Sequence, residues 1–130
     1  MRKAILMVLL ALMSSSAAAE WVEVVRHSDG NTTIYADPAT IQRVGTKVIM
    51  WEVGDFKAAN ISGGKSFRSM KKQQEYECKE KQIRTLRTIL FSDSMGKGEV
   101  VHTDHKPRNW EPVSPGSYGD FLWRTACRKP

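Results

Sequence analysis

Residues 47–55 read Lys-Val-Ile-Met-Trp-Glu-Val-Gly-Asp, and the alternation inside them decides the fold class. Ile49, Trp51 and Val53 share one parity and Glu52 falls on the other, the pattern of a strand in an antiparallel sheet with one face buried and one wetted. The spacing predicts a strand from Lys47 to Asp55, buried on the Ile49, Trp51 and Val53 side.

Working toward the N-terminus, the valine-rich stretch Trp21 to His27 and the β-branched stretch Thr32 to Ala36 flank Asp29-Gly30-Asn31, a hairpin turn signal, so the two should pair. Asp37-Pro38-Ala39-Thr40-Ile41 interrupts the pattern, because Pro38 has no amide donor and biases Asp37 away from helix. Gly45 then turns the chain into the Lys47 strand. Working toward the C-terminus, residues 57–66 hold Ser62-Gly63-Gly64 without apolar periodicity and read as an exposed loop. After Phe67, Met70, Tyr76 and Cys78 share one parity, while Lys71, Gln73, Glu75, Glu77 and Lys79 share the other and should face solvent. A reversal falls around Lys79-Glu80-Lys81. From Gln82 to Ser92 both parities are apolar, which requires either a strand covered on both sides or a bulge that shifts parity midway. Ser94-Met95-Gly96-Lys97-Gly98 is a further turn, and Glu99 to Thr103 forms the last short strand.

The remaining chain changes character. Pro107, Pro112 and Pro115 punctuate a loop around Trp110, and then Ser117 is placed to cap a helix with Asp120 in its first turn and Tyr118, Leu122 and Thr125 or Ala126 at helical spacing. The reading is α+β: a single antiparallel sheet of about six strands with a C-terminal helix. At 130 residues the chain has room for one domain, since domains mostly run to roughly 100–150 residues.

The first nineteen residues belong to a different class. Met1-Arg2-Lys3, the apolar run Ala4 to Met13 and the small residues up to Ala19 have the form of a secretory signal peptide cleaved after Ala19. Ten apolar residues are about half of the ~20 needed to cross a bilayer, so a transmembrane anchor is not expected, and a lipoprotein would need a cysteine at the cleavage point. The mature domain, residues 20–130, is expected in the periplasm or the medium. In an oxidising compartment the two cysteines, Cys78 and Cys127, should close into the single intramolecular disulfide open to them and pin the helix to the strand ending at Cys78.

Enzyme chemistry finds little footing. None of His27, His102 and His105 sits in a nucleophile or metal motif; His102, Asp104 and His105 read as a solvated loop, and Glu75 and Glu77 as solvated ion-pair partners of nearby lysines. No cofactor is expected. Trp21, Trp51 and Trp123 fall on apolar patterns and read as core, whereas Trp110, in the proline-rich loop, could be core or surface. Charge carries more: Lys57 to Arg87 holds nine basic residues against three acidic ones, and the rest of the mature chain nine against eleven. Lys71, Lys79 and Lys81 should project from one face of a strand pair with Lys72, Arg84 and Arg87 at its rim, a candidate surface for a protein or an anionic polymer such as heparin. For an exported chain no physiological nucleic-acid partner is expected.

A set of residues in order also resembles a known family. Trp21 with the valines after it, Asp37-Pro38-Ala39-Thr40-Ile41 with Arg43, Trp51, Glu75-Tyr76-Glu77-Cys78, Arg84, Met95-Gly96 with Gly98, Trp110, Pro115-Gly116-Ser117 and Cys127 together resemble the surface-adhesin protein E family of small exported proteins in Gram-negative bacteria. The resemblance spans Trp21 to Cys127. It implies a single antiparallel sheet with a C-terminal helix tied across it by the cysteine pair, and, for the founding adhesin, binding to host extracellular-matrix and serum proteins. Two functions follow as expectations: an adhesin-like binding module of the cell envelope, or a small periplasmic accessory protein such as an inhibitor or envelope-stress factor. Neither is an enzyme.

Overall fold

The computed structural model describes residues 20–128; the expected leader, residues 1–19, lies outside the described residues. Among the described residues seven strands, one 3-10 turn and one α-helix follow in order: β1 Val22–Arg26, β2 Thr32–Val44, β3 Lys47–Ser62, β4 Lys65–Glu77, β5 Gln82–Phe91, the 3-10 turn Ser94–Gly96, β6 Val100–Asp104, β7 Glu111–Pro112 and α1 Tyr118–Cys127. All pairings are antiparallel, and β1 to β6 lie in sequence order with β7 added beside β5. The expected six strands thus gain a short seventh.

The helix covers one face of the sheet near its β1 to β4 side. Leu122 and Ala126 pack on Ala36, Val48, Met50 and Tyr76, and these six residues form the buried cluster beneath the helix. Ser117 caps the helix as expected, its hydroxyl accepting from the Asp120 amide. At the other end, the Arg43 guanidinium donates to the carbonyls of Ala126 and Arg128 at 3.3 and 2.6 Å, supplying donors that a helix C-terminus otherwise lacks. Cys78 and Cys127 are disulfide-bonded, and the Trp123 indole donates to the Glu77 carbonyl at 3.0 Å beside them.

Three expectations are corrected. The parity of β3 is as read, but the core under the helix lies on its other side: Val48, Met50 and Glu52 are buried on the helix face, while on the open face Val53 is buried as expected and Ile49 and Trp51 are only half-buried. Both parities of this strand carry large apolar residues, so alternation alone does not choose between them; the helix does. Residues 57–66 are not a loop. β3 and β4 continue as a hairpin to Ser62 and Lys65, with pairs Asn60 to Phe67 and Ile61 to Ser66, because Gly63 and Gly64 adopt φ of +55° and +79°, the positive angles that a tight two-residue hairpin turn demands. The backbone ladder closes this arm without help from apolar periodicity. Glu77, expected in solvent with the rest of its parity, is buried, its carboxylate accepting from the Thr46 hydroxyl and the Lys79 amide.

The apolar ambiguity of β5 resolves as a bulge. Gln73 pairs with Arg87 and Gln74 with Thr85, which leaves Leu86 as the extra residue and moves Leu90 onto the buried side.

Candidate functional site

The Asp37-Pro38-Ala39-Thr40-Ile41 segment builds the site. In the β2 and β3 ladder, Asp37 pairs with Trp51 but the next pair is Gln42 with Ile49, so residues 38–41 leave the sheet as a wide bulge. Internal bonds replace those lost from the ladder. The Asp37 carboxylate accepts from the Ala39 amide at 3.1 Å, and the Thr40 hydroxyl donates to the Asp37 carbonyl at 2.7 Å while accepting from the Trp51 amide at 3.0 Å. Proline fits here because its missing donor is not needed. Where the bulge departs, it bounds a cavity of about 260 Å³ together with Ile49, Trp51 and Gln73. This cavity opens on the face of the sheet that the helix leaves uncovered.

Aromatic rings and cations alternate across that face. The Lys71 ammonium stands 5.7 Å from the ring centres of both Trp21 and Trp51 and 6.0 Å from that of Phe91. Its stem is held by the turn after β5, where Gly96, at φ +70°, lies so close that an added Cβ would come within 2.8 Å of the Lys71 Cδ. The turn itself is fixed by the Met95 amide on the Asp55 carboxylate and the Gly96 amide on the Ser69 hydroxyl, at 2.9 and 2.8 Å. Nearer the Lys47 end of the sheet, the Arg84 guanidinium lies 4.7 Å from the Trp110 ring centre and the Lys47 ammonium 5.7 Å from it, while Arg84 also pairs with Glu75 at 2.6 Å. Cations over the negative π faces of tryptophans are favourable, by about 0.5–1 kcal/mol each at exposed sites.

The six basic residues singled out by charge therefore do not share one surface. Lys71, Arg84 and Arg87 belong to the open face, Arg87 opposite Gln73 in the ladder. Lys72 lies on the helix face, opposite Glu52. Lys79 and Lys81 sit at the β4 to β5 turn, where Lys81 stands 3.9 Å from the Asp120 carboxylate and 5.3 Å from the Trp123 ring centre. Trp21 and Trp51, expected in the core, belong instead to the open face with Trp110; only Trp123 packs against the helix-side core. The signal that could have found this set was register: Lys71, Trp51 and Phe91 are distant in sequence and meet only because Val53 pairs with Lys71 and Ser69 with Phe91.

The helix face holds a buried carboxylate. Glu52 accepts from the Tyr76 hydroxyl at 2.9 Å and the Gln74 amide at 3.2 Å, and Gln74 in turn accepts from the Thr85 hydroxyl at 2.5 Å. Burial raises the Glu52 pKa to about 7, against the lowering effects of the Tyr76 bond, the Lys72 charge and the Gln74 bond. Tyr76 is pushed well above the usual phenol range by its own burial and by Glu52. Asp104 is engaged by Arg108 at 2.6 Å, and among the described residues no three His, Cys, Asp or Glu side chains gather as a metal site.

A layout of six sequentially ordered antiparallel strands, a single C-terminal helix and a strand-to-helix disulfide defines a class. The family model described as "Surface-adhesin protein E" matches residues 21–128, and the chain belongs to that family. Among solved structures it is similar to protein E of Haemophilus influenzae: in the selenomethionine form at 15% identity over 88% of this chain and 89% of that one, TM-score 0.65, and in crystal form II at 14% identity over 88% and 91%, TM-score 0.66. Protein E from non-typeable Haemophilus influenzae aligns at 16% identity over 87% and 76%, TM-score 0.61. At such identities the likeness establishes the shared fold. No curated protein matches the chain.

Proposed function

We propose that the protein is an exported, adhesin-like binding module of the cell envelope that engages an acidic partner through the open face of its sheet, and that it is not an enzyme. The observation that carries this reading is the clustering of Lys71, Lys47 and Arg84 around Trp21, Trp51, Phe91 and Trp110 on the face the helix leaves bare. Tryptophan and arginine dominate the energetics of protein interfaces, and a basic field steers acidic partners toward them. Family membership supports the adhesin-like part. The non-catalytic part is supported by three carboxylates that are engaged in holding the fold: Glu75 by Arg84, Glu77 by Thr46 and the Lys79 amide, and one oxygen of Asp120 by Arg124 and the Gly116 amide. No helix among the described residues is long and apolar enough to cross a membrane.

Export is part of the proposal, and fractionating the native host tests it. The mature chain, beginning at Glu20 by intact mass, is expected in the outer-membrane fraction or the medium and open to protease added to whole cells. A product confined to the periplasm and protected in whole cells would favour the accessory-protein reading over an adhesin, and one retaining residues 1–19 would overturn export by cleavage.

A further inference from the structure

The open face differs from a plain basic surface in one place, the cavity beside Trp51. It is bounded by the bulge at residues 39–42 and by Ile49, Trp51 and Gln73, and its volume of about 260 Å³ lies just below the roughly 300–1,000 Å³ of pockets for drug-sized ligands. That is room for one ring. Its chemistry is mixed in a specific way. The half-buried indole of Trp51 offers an aromatic surface, and Gln42 and Gln73 bring side-chain amides, each able to donate twice and accept twice. The Lys71 ammonium stands 5.7 Å from the Trp51 ring centre, and Arg87 is exposed opposite Gln73 in the ladder.

An acidic peptide would find partners in Lys71 and Arg87, and its backbone could pair with the amides, but a carboxylate side chain brings no ring face to the indole. A pyranose ring uses all of them. Its C–H bonds carry partial positive charge and stack on the negative π face, its hydroxyls match the amides, and a carboxylate or sulfate on the ring reaches the cations. We propose that the cavity beside Trp51 is a subsite for one residue of an anionic saccharide, a uronate or a sulfated sugar, with Trp51 as platform, Gln42 and Gln73 as hydroxyl partners and Lys71 and Arg87 as anion partners. The proposal rests on the reading of the open face as the binding surface and adds the class of ligand to it.

The indole N–H signals of the isotope-labelled exported protein test it. With four tryptophans there are few signals to assign, and Trp51→Phe identifies the one of interest. Titration with a heparin-derived tetrasaccharide is expected to shift the Trp51 signal saturably. The Trp123 signal, whose indole is held by the Glu77 carbonyl on the helix side, should not move. The Gln42→Ala/Gln73→Ala double variant, which changes no charge, is expected to weaken the tetrasaccharide at least tenfold while leaving poly-glutamate binding unchanged. If poly-glutamate of equal charge shifts Trp51 as strongly, or the double variant loses nothing, the saccharide subsite is overturned and the acidic-partner reading stands. If neither polymer shifts any signal, both fall.

Discussion

Replacing Cys78 and Cys127 together with serine is expected to lower the unfolding free energy by roughly 2–5 kcal/mol. The bridge spans 49 residues, and in the chain-entropy model closing a loop of that length removes about 4 kcal/mol of freedom from the unfolded state. A domain of this size has roughly 5–15 kcal/mol in total, so the loss is large. Its structural consequence should be local before it is global. The helix has ten residues, too few to persist alone in water, and it is attached by the bridge, by Trp123 on Glu77, by Arg43 on the helix C-terminus and by Leu122 and Ala126 in the core. Amide exchange in the double variant should therefore accelerate first in Tyr118–Cys127, with β3 and β4 protected longest. Equal acceleration across the sheet and helix, or an unchanged denaturation midpoint, would show that the bridge is not what holds the helix down.

A second large effect concerns pH. Glu52 has a folded pKa of about 7 against an ordinary value of 4.5, so the folded state holds this proton more tightly than the unfolded one. The sign follows directly: stability from this group is full below about pH 4.5, falls as pH rises through the interval to 7, and is gone above it. The shift corresponds to roughly 2–4 kcal/mol between the ends of that window. Glu52→Gln keeps the shape and the Tyr76 and Gln74 neighbours but cannot ionise. Urea midpoints measured from pH 5 to pH 8 should fall for the native protein and stay nearly level for the variant, which becomes the more stable of the two at pH 8. Parallel curves would contradict a buried, titrating Glu52.

Local chemistry explains which features the sequence made legible. The Ser117 cap, the Asp29-Gly30-Asn31 hairpin, the strand parities and the single possible disulfide each depend on residues close together or on simple counting, and each is present. The family resemblance drawn from the ordered motifs agrees with the family that matches residues 21–128. The choice of core face was not legible, because β3 is apolar on both sides and only the docked helix decides that Val48 and Met50 go inward with Glu52 beside them. A buried glutamate also contradicts the pattern rule that places charge outside; it is tolerated because Tyr76 and Gln74, both from β4, supply hydrogen bonds and the proton can stay on. Asp37 to Ile41 read as a break and turned out to be a bulge inside one long strand, since nothing in the sequence says that Thr40 replaces a ladder partner of Trp51. The basic stretch was visible as a count of charges, but strand alternation and the β4 to β5 turn distribute those charges over two faces and one end.

The claim that the open face is the binding surface can be tested by moving the same charge change from one face to the other. Lys71→Gln with Arg87→Glu removes three units of charge from the open face, and Lys72→Gln with Lys79→Glu removes three from the helix face and the turn. Affinity for immobilised heparin, measured for both variants at physiological salt, where charges more than about 8 Å apart are largely screened, separates a site from a net charge. The open-face variant is expected to bind at least tenfold more weakly, about 1.4 kcal/mol, with the helix-face variant close to the native protein. Equal weakening in both variants, or a greater loss in the helix-face one, would contradict the account.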